Sequence, residues 1–193
     1  HMATDNWLER WLPLVLARAA DRPVLEVGCG HGDDTATLAH AGLRVVAFDL
    51  SAADVDAARM RVPSAVIECR DVRDPFPVQA NQLGVVVASL SLHYFGWAET
   101  VALAQRIHDV LRPGGVLLCR LNSSEDRNFG ASGHPQVEPG YFLVDGKPKR
   151  FFDEAAVRTL FATGWRILSL EHLTTLKYVK PKALWEVVLE RDA

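Results

Sequence analysis

The sequence lacks long apolar runs and an excess of charge of either sign. Its 193 residues include 21 lysine and arginine residues against 24 aspartate and glutamate residues, for a net charge of −3. A bilayer-spanning helix needs about 20 apolar residues, and nucleic-acid-binding domains usually carry a basic excess. The composition therefore predicts no membrane segment and no nucleic-acid partner. One basic run, 147–150, is short and is interpreted as a solvated loop.

Cysteine is also scarce, with Cys29, Cys69 and Cys119 far apart in the sequence. An odd, scattered set fits neither a disulfide framework nor a zinc site, so no metal is expected. Each cysteine lies in or beside a strand-like apolar run, which indicates buried, reduced thiols. Reduced thiols are typical of the cytoplasm, which is the predicted location.

What the sequence does contain is an alternation of short apolar runs with stretches of helical spacing. The apolar runs are typical of buried parallel strands, and parallel neighbours need crossover helices between them. The alternation predicts an α/β, Rossmann-like, doubly wound sheet with helices on both faces. The predicted strands are 24–27, 43–48, 65–69, 83–89 and 116–121, and the predicted helices between them are 33–41, 51–60 and 97–111.

The two ends of the chain complete this plan. About 4–20 is predicted to be a helical cap that Pro13 kinks or splits. After a further helix at 153–161, two closing strands are predicted to pair as an antiparallel hairpin at one edge of the sheet, at 165–173 and 184–189. The prediction is a seven-stranded, mostly parallel sheet in a single domain, 1–193.

One segment, about 122–150, does not follow the alternation. It is rich in Asn, Ser, Asp, Gly and Pro and is predicted to be irregular. It is either a lid that closes over a ligand or a mobile insertion. Its polar and aromatic side chains that could reach a ligand are Asn122, Arg127, Asn128, His134 and Tyr141.

The first predicted strand ends in a glycine-rich turn with Gly28, Gly30 and Gly32. Ligands bind in such sheets beyond the carboxyl ends of the strands, and glycine lets a ligand approach the backbone closely. A dinucleotide turn needs its third glycine one residue later, where the chain has Asp33. Asp33 and Asp34 would also repel a pyrophosphate, and the turn lacks the Lys-Ser/Thr pair of a nucleoside triphosphate site.

S-adenosylmethionine suits this turn better because it carries a sulfonium and an ammonium and no phosphate. Glu26 could hold the ammonium, directly or through water. Asp49, at the end of the second strand, could accept hydrogen bonds from ribose hydroxyls, or it is a helix cap or turn residue.

The end of the third strand offers contacts for the adenine. Asp71 could accept a hydrogen bond from the adenine amino group, while the backbone N–H of Val72 could donate to a ring nitrogen. The alternative is a structural salt bridge between Asp71 and Arg70 or Arg73.

Five segments together resemble the class I S-adenosylmethionine-dependent methyltransferases, and the likeness covers about residues 7–121. The N-terminal helix and the C-terminal helix–strand ending look most like small-molecule methyltransferases, including the tellurite-resistance type. The segments, in order, are VLEVGCGHG (24–32), VVAFDLS (45–51), CRDVRD (69–74), VVVASLSLHYF (85–95) and LRPGGVLL (111–118).

The resemblance implies a cofactor site and a reaction. It implies methyl transfer by direct displacement to a nitrogen, oxygen or sulfur atom of a small molecule, with S-adenosylhomocysteine as product. Leu50 would flank the adenine, and Ser89 and Leu90 would line the methionine end. The resemblance assigns cofactor binding to Glu26, Gly28, Gly30, Asp49, Asp71 and Val72.

His93 and Tyr94 follow the fourth strand, where the methyl group should point, and are the candidate catalytic residues. His93 could be a general base or a structural histidine, and Tyr94 could contact the acceptor or pack over the cofactor. Lys177 and Tyr178 could also reach the site, although no pattern in the sequence links them to it.

Two other functions remain open from the sequence. The first is a non-catalytic domain that binds S-adenosylmethionine as a sensor or scaffold, and the second is an NAD-dependent oxidoreductase. The protein is expected to be a monomer or a homodimer, and Trp7 and Trp11 are expected to be exposed, where they could face a partner subunit or cover the cofactor.

Overall fold

The computed structural model describes residues 6–193, so the first two residues of the predicted cap, 4 and 5, lie outside the described part. The strands are β1 (Val24–Val27), β2 (Val45–Asp49), β3 (Val66–Cys69), β4 (Leu83–Ser89), β5 (Leu111–Asn122), β6 (Gln136–Glu138), β7 (Tyr141–Val144), β8 (Lys147–Arg150), β9 (Trp165–Thr175) and β10 (Lys182–Arg191). The α-helices are α1 (Leu12–Ala19), α2 (Asp33–His40), α3 (Ala52–Arg61), α4 (Trp97–Val110) and α5 (Glu154–Leu160).

Seven strands form one sheet in the order β3-β2-β1-β4-β5-β10-β9. β1 to β5 are parallel, whereas β10 runs antiparallel to both β5 and β9. The predicted mostly parallel sheet with a C-terminal antiparallel hairpin is therefore confirmed. The strand order reverses between β1 and β4. In open α/β sheets ligands bind at such a reversal, beyond the carboxyl ends of the two strands.

Helices cover both faces of this sheet, as predicted. One face packs on α4 and α5 through residues such as Ile107 and Val157. The other packs on α1, α2 and α3 through residues such as Val15, Leu38 and Val55. The first six residues of β4 are buried because the strand is covered on both faces, which explains its uninterrupted apolar sequence. None of the helices within residues 6–193 is long and apolar enough to cross a bilayer.

The N-terminal segment is split near Pro13, as predicted. A short 3-10 helix, Glu9–Trp11, precedes α1, and Pro13 lies in the first turn of α1, where its missing N–H costs no hydrogen bond. The prediction that Trp7 and Trp11 are exposed is wrong. The ring of Trp7 is buried, and its Nε1 donates a 3.1 Å hydrogen bond to Asp34, while Trp11 is partly buried against the core.

The predicted irregular segment 122–150 instead contains a small antiparallel sheet, β6-β7-β8. Asp145 and Gly146 both have positive φ, at 52° and 80°, and form the two-residue turn between β7 and β8. An Asp-Gly pair between short strands is a strong hairpin signal. The basic run 147–150 is therefore strand β8, and its interpretation as a solvated loop is wrong.

Two further predictions need correction. β5 begins at Leu111 instead of 116, because Leu111 already pairs with Leu83 before the Pro-Gly-Gly irregularity. Cys29 and Cys119 are buried free thiols as expected, but Cys69 is exposed, because it ends the short edge strand β3.

Candidate functional site

A cavity of about 770 Å³ opens at the carboxyl ends of the parallel strands. Every residue that the sequence predicted for the cofactor and catalytic sites contributes to its wall. These residues are Glu26, Gly28, Gly30, Asp49, Leu50, Asp71, Val72, Ser89, Leu90, His93 and Tyr94. The sheet therefore brings together side chains that are up to 68 residues apart in the sequence (94 − 26).

The glycine-rich turn forms one wall of the cavity. Gly28 has φ +73°, and a Cβ atom there would lie 2.4 Å from the Cβ of Ser91. Gly30 has φ +53° and faces open space, with no atom near its missing side chain. A ligand can therefore lie directly against the backbone at Gly30.

Glu26 lies at the base of the cavity and is almost completely buried. Its Oε1 accepts a 2.5 Å hydrogen bond from the hydroxyl group of Thr35. The pKa of Glu26 is raised well above its usual value. Burial is the largest cause, and the negative charge of Asp34 is the second. A buried carboxylate among other carboxylates fits a cationic ligand group, such as the ammonium of S-adenosylmethionine.

Asp49 is held by two backbone N–H groups. Its Oδ2 accepts from Gly30 at 2.9 Å, and its Oδ1 accepts from Ser51 at 3.0 Å. Ser51, not Asp49, caps α3, since its side chain accepts a hydrogen bond from Asp54 N. Each carboxylate oxygen keeps a second lone pair, so Asp49 can still accept hydrogen bonds from a diol.

The residues predicted to bind the adenine lie at the rim of the cavity. Asp71 forms a salt bridge with Arg73 at 2.8 Å, which is the alternative that the sequence left open. Hydrogen bonds from Arg73 lower the pKa of Asp71, so it is a carboxylate that can also accept from a ligand. Val72 is partly buried against the core, and Leu50 is 69% exposed at the mouth of the cavity.

The end of β4 forms the opposite wall. Ser89 Oγ accepts a 2.8 Å hydrogen bond from Arg120 Nε. Leu90 has φ +55°, and its N–H donates to the carbonyl of Arg120 at 2.9 Å. This bond joins the bend after β4 to β5, and Ser91, His93 and Tyr94 of the following segment line the cavity.

His93 is buried, and its Nδ1 has no hydrogen-bond partner among residues 6–193. The pKa of His93 is lowered well below its usual value. Burial is the largest cause, and the positive charges of Lys182 and Lys149 lower it further. The ring is therefore neutral at pH 7. Tyr94 is more exposed, and its ring centroid lies 4.5 Å from that of His93.

The insertion is attached to this wall. Arg150 N donates to the carbonyl of His93 at 2.6 Å, and Arg150 Nε donates to Phe95 O at 3.2 Å. The hydroxyl group of Tyr141 donates to Tyr94 O at 3.0 Å. β7 and β8 thus lie against the segment that carries both candidate catalytic residues.

Of the insertion residues named from the sequence, Asn122 lines the cavity and Tyr141 contacts the segment beside it. Arg127, Asn128 and His134 do not line it. Lys177 and Tyr178 do, and the Nζ of Lys177 forms a 2.9 Å salt bridge with Asp33 across the opening.

Sequence reasoning missed four cations in the cavity wall: Arg120, Lys147, Lys149 and Lys182. Arg120 had a detectable signal, because it is a charged residue near the carboxyl end of an apolar strand. The three lysines had none, since β8 and β10 approach the cavity only through tertiary packing.

A comparison with known families matches part of this architecture. A family model described as a methyltransferase domain matches residues 24–115, from β1 into β5. This region is similar to that family, and the chain has the fold of class I S-adenosylmethionine-dependent methyltransferases.

Two relatives match part of the chain. An uncharacterised methyltransferase of Synechocystis is 32% identical over 106 residues, which are 54% of this chain and 50% of the relative. The trans-aconitate 2-methyltransferase of Paracidovorax citrulli is 35% identical over 100 residues, which are 51% of this chain and 38% of the relative. The chain thus spans half or less of the length of these relatives.

A solved structure agrees over nearly the whole fold. An S-adenosylmethionine-dependent methyltransferase from Mesorhizobium loti superposes with a TM-score of 0.72 at 20% identity. The match covers 95% of this chain and 97% of that chain, so the C-terminal strands belong to the shared fold.

Proposed function

We propose that this protein binds S-adenosylmethionine at the glycine-rich turn and catalyses methyl transfer to a nitrogen, oxygen or sulfur atom of a small molecule. One observation carries the proposal. The buried carboxylate of Glu26 and the oriented carboxylate of Asp49 flank the open backbone of Gly30 at the point where strand order reverses. That arrangement fits an adenosine-bearing ligand with a cationic amino-acid end.

The cavity wall suggests one role for each residue along the ligand. Glu26 holds the ammonium, and Asp49 accepts hydrogen bonds from the ribose hydroxyls. Asp71 and the N–H of Val72 bind the adenine, with Leu50 against its ring. Gly28 and Gly30 allow the close backbone approach, and Ser89 and Leu90 line the methionine end.

When bound, the sulfonium supplies a methyl group that a nucleophile can displace directly. The protein contributes alignment and exclusion of water. His93 and Tyr94 contact the acceptor beyond the end of β4, and neutral His93 takes the proton from an acceptor that carries one. The insertion 122–150 closes this side of the cavity, because β7 and β8 contact the same segment.

The proposal also covers the domain organisation, the acceptor class, the location and the oligomeric state. The chain acts as a single methyltransferase domain, since both core clusters pack on one central sheet. A net charge of −3 favours a small-molecule acceptor over nucleic acid. The free thiols of Cys29 and Cys119 are consistent with the cytoplasm. The acting form is a monomer or a homodimer.

Formation of S-adenosylhomocysteine tests catalysis against the sensor or scaffold alternative. The protein is incubated with S-adenosylmethionine and a panel of small acceptors, and the product is quantified by mass spectrometry. We expect His93→Gln to lower kcat by about 10²–10⁴-fold for an acceptor that must lose a proton. His40→Gln, an exposed histidine at the end of α2 and away from the cavity, is the matched control. Binding without product from any acceptor would support the sensor alternative.

A further inference from the structure

The carboxylates and the lysines of the cavity wall come from different parts of the chain. The first half supplies every carboxylate, Glu26, Asp33, Asp34, Asp49, Asp54 and Asp71, together with Arg70 and Arg73. The second half supplies no carboxylate and five basic side chains: Arg120, Lys147, Lys149, Lys177 and Lys182. Of these, Lys177 pairs with Asp33. The acidic end fits the cationic cofactor. The basic end lies beside His93, on the acceptor side.

Strand alternation directs the lysines of β8 toward the cavity. Lys147 and Lys149 both line it, while Arg150, the next residue, packs the other way against Glu138 and Trp97. Lys149 is partly buried, and its Nζ donates to the carbonyl of Phe129 at 3.3 Å. Across residues 6–193, no carboxylate forms a salt bridge with Lys149.

Lys182 is more deeply buried and is paired. Its Nζ donates to Asn122 Oδ1 at 2.7 Å and forms a salt bridge with the buried Asp126. Asp126 therefore neutralises the charge of Lys182 but not that of Lys149. Burial lowers the pKa of Lys182, although its bond to Asp126 raises it, and the charges of Lys149 and Arg120 lower it further. Lys182 and Lys149 also lower the pKa of His93, after burial as the largest cause.

We propose that the methyl acceptor carries an oxyanion, a carboxylate or a phosphate, that Lys149 binds beside His93. This rests on the proposed function, because it assigns the basic end of the cavity to the acceptor. An oxyanion supplies the negative partner that Lys149 lacks among residues 6–193 and forms a charge-assisted hydrogen bond with its ammonium. The positive charge of Lys149 disfavours a cationic amine at the same place.

Calorimetric titration tests the proposal in two stages. The protein is first titrated with S-adenosylhomocysteine and then, when saturated, with malonate or inorganic phosphate at low salt, with acetamide as a neutral control. The variants are Lys149→Gln, which removes the charge, and Lys149→Arg, which keeps it. Lys180→Gln removes an exposed lysine that does not line the cavity.

We expect one or both anions to bind the wild type, about tenfold more weakly to Lys149→Gln, and with nearly unchanged affinity to the other two variants. The anion that binds more tightly distinguishes a carboxylate site from a phosphate site. Binding of neither anion, or equal binding by Lys149→Gln, would overturn the inference. Failure of S-adenosylhomocysteine to bind in the first stage would instead contradict the proposed function.

A turnover experiment provides a second readout. Acceptors are offered as pairs of a carboxylic acid and its primary amide, and S-adenosylhomocysteine is measured. The inference predicts that the acid is the better substrate and that Lys149→Gln raises its KM more than it lowers kcat. Preference for the amide would show that methyl transfer occurs but that the basic end does not select the acceptor.

Discussion

The hydroxyl group of Thr35, in the first turn of α2, donates a 2.5 Å hydrogen bond to the buried carboxyl group of Glu26 at the end of β1. This bond favours the ionised form, but burial and the nearby Asp34 outweigh it, so the pKa of Glu26 is raised. The free protein therefore retains a proton on Glu26 at pH values where an exposed glutamate has lost it.

Cofactor binding is expected to release this proton. The ligand ammonium favours the ionised form of Glu26, so binding lowers its pKa and becomes tighter as the pH rises toward neutrality. Calorimetric titrations with S-adenosylhomocysteine in buffers of different ionisation enthalpy measure the released protons. Glu26→Gln should bind more weakly and lose this release. An unchanged release in the variant would assign the proton to another group.

Two of the three glycines in the first turn, Gly28 and Gly30, should differ in their response to alanine. Gly28→Ala places a Cβ 2.4 Å from Ser91 Cβ at φ +73° and should lower the free energy of unfolding by about 2–4 kcal/mol. Gly30→Ala meets no atom and should cost stability only through its positive φ, but its methyl group enters the cavity and should weaken cofactor binding. Urea unfolding and calorimetry separate the two effects. Equal stability losses would contradict this account.

Asp33 should contribute stability that depends on pH. Burial alone would raise its pKa, but hydrogen bonds from Lys177 and Arg61 hold it at about 2. Because the pKa is below that of the unfolded chain, the contribution is complete above about pH 4 and is lost as the pH falls through 2. Asp33→Asn should therefore be less stable by about 1 kcal/mol or less at pH 7, since the pair is partly exposed. Unfolding curves should show a larger difference at pH 7 than at pH 2, where Asp33 is partly protonated.

Arg150 should hold the insertion against the active-site segment. It is buried, donates to Phe95 O, forms a salt bridge with Glu138, and lies 4.9 Å over the ring of Tyr141. Arg150→Met should cost about 1–3 kcal/mol by leaving these acceptors unsatisfied. Amide hydrogen exchange in 136–150 should accelerate. Arg127→Met, in the same insertion but outside the cavity wall, should leave that exchange unchanged.

The sheet and the cofactor side of the cavity could be predicted from the sequence because their signals are local. β1, β2 and β4 are short apolar runs, and the glycine-rich turn follows directly after β1. The basic end could not be predicted in the same way. Lys149 and Lys182 lie on strands that reach the cavity only through packing, and β8 was missed because the Asp145-Gly146 turn before it was not recognised.

Cofactor binding by Asp49 tests the central claim most directly. Wild type, Asp49→Asn and the control Asp56→Asn, an exposed residue of α3 outside the cavity, are titrated with S-adenosylmethionine, S-adenosylhomocysteine and NADH. We predict that both sulfur ligands bind the wild type and Asp56→Asn, that Asp49→Asn loses about tenfold or more in affinity, and that NADH does not bind. Binding of NADH alone, or equal affinity in Asp49→Asn, would contradict the account.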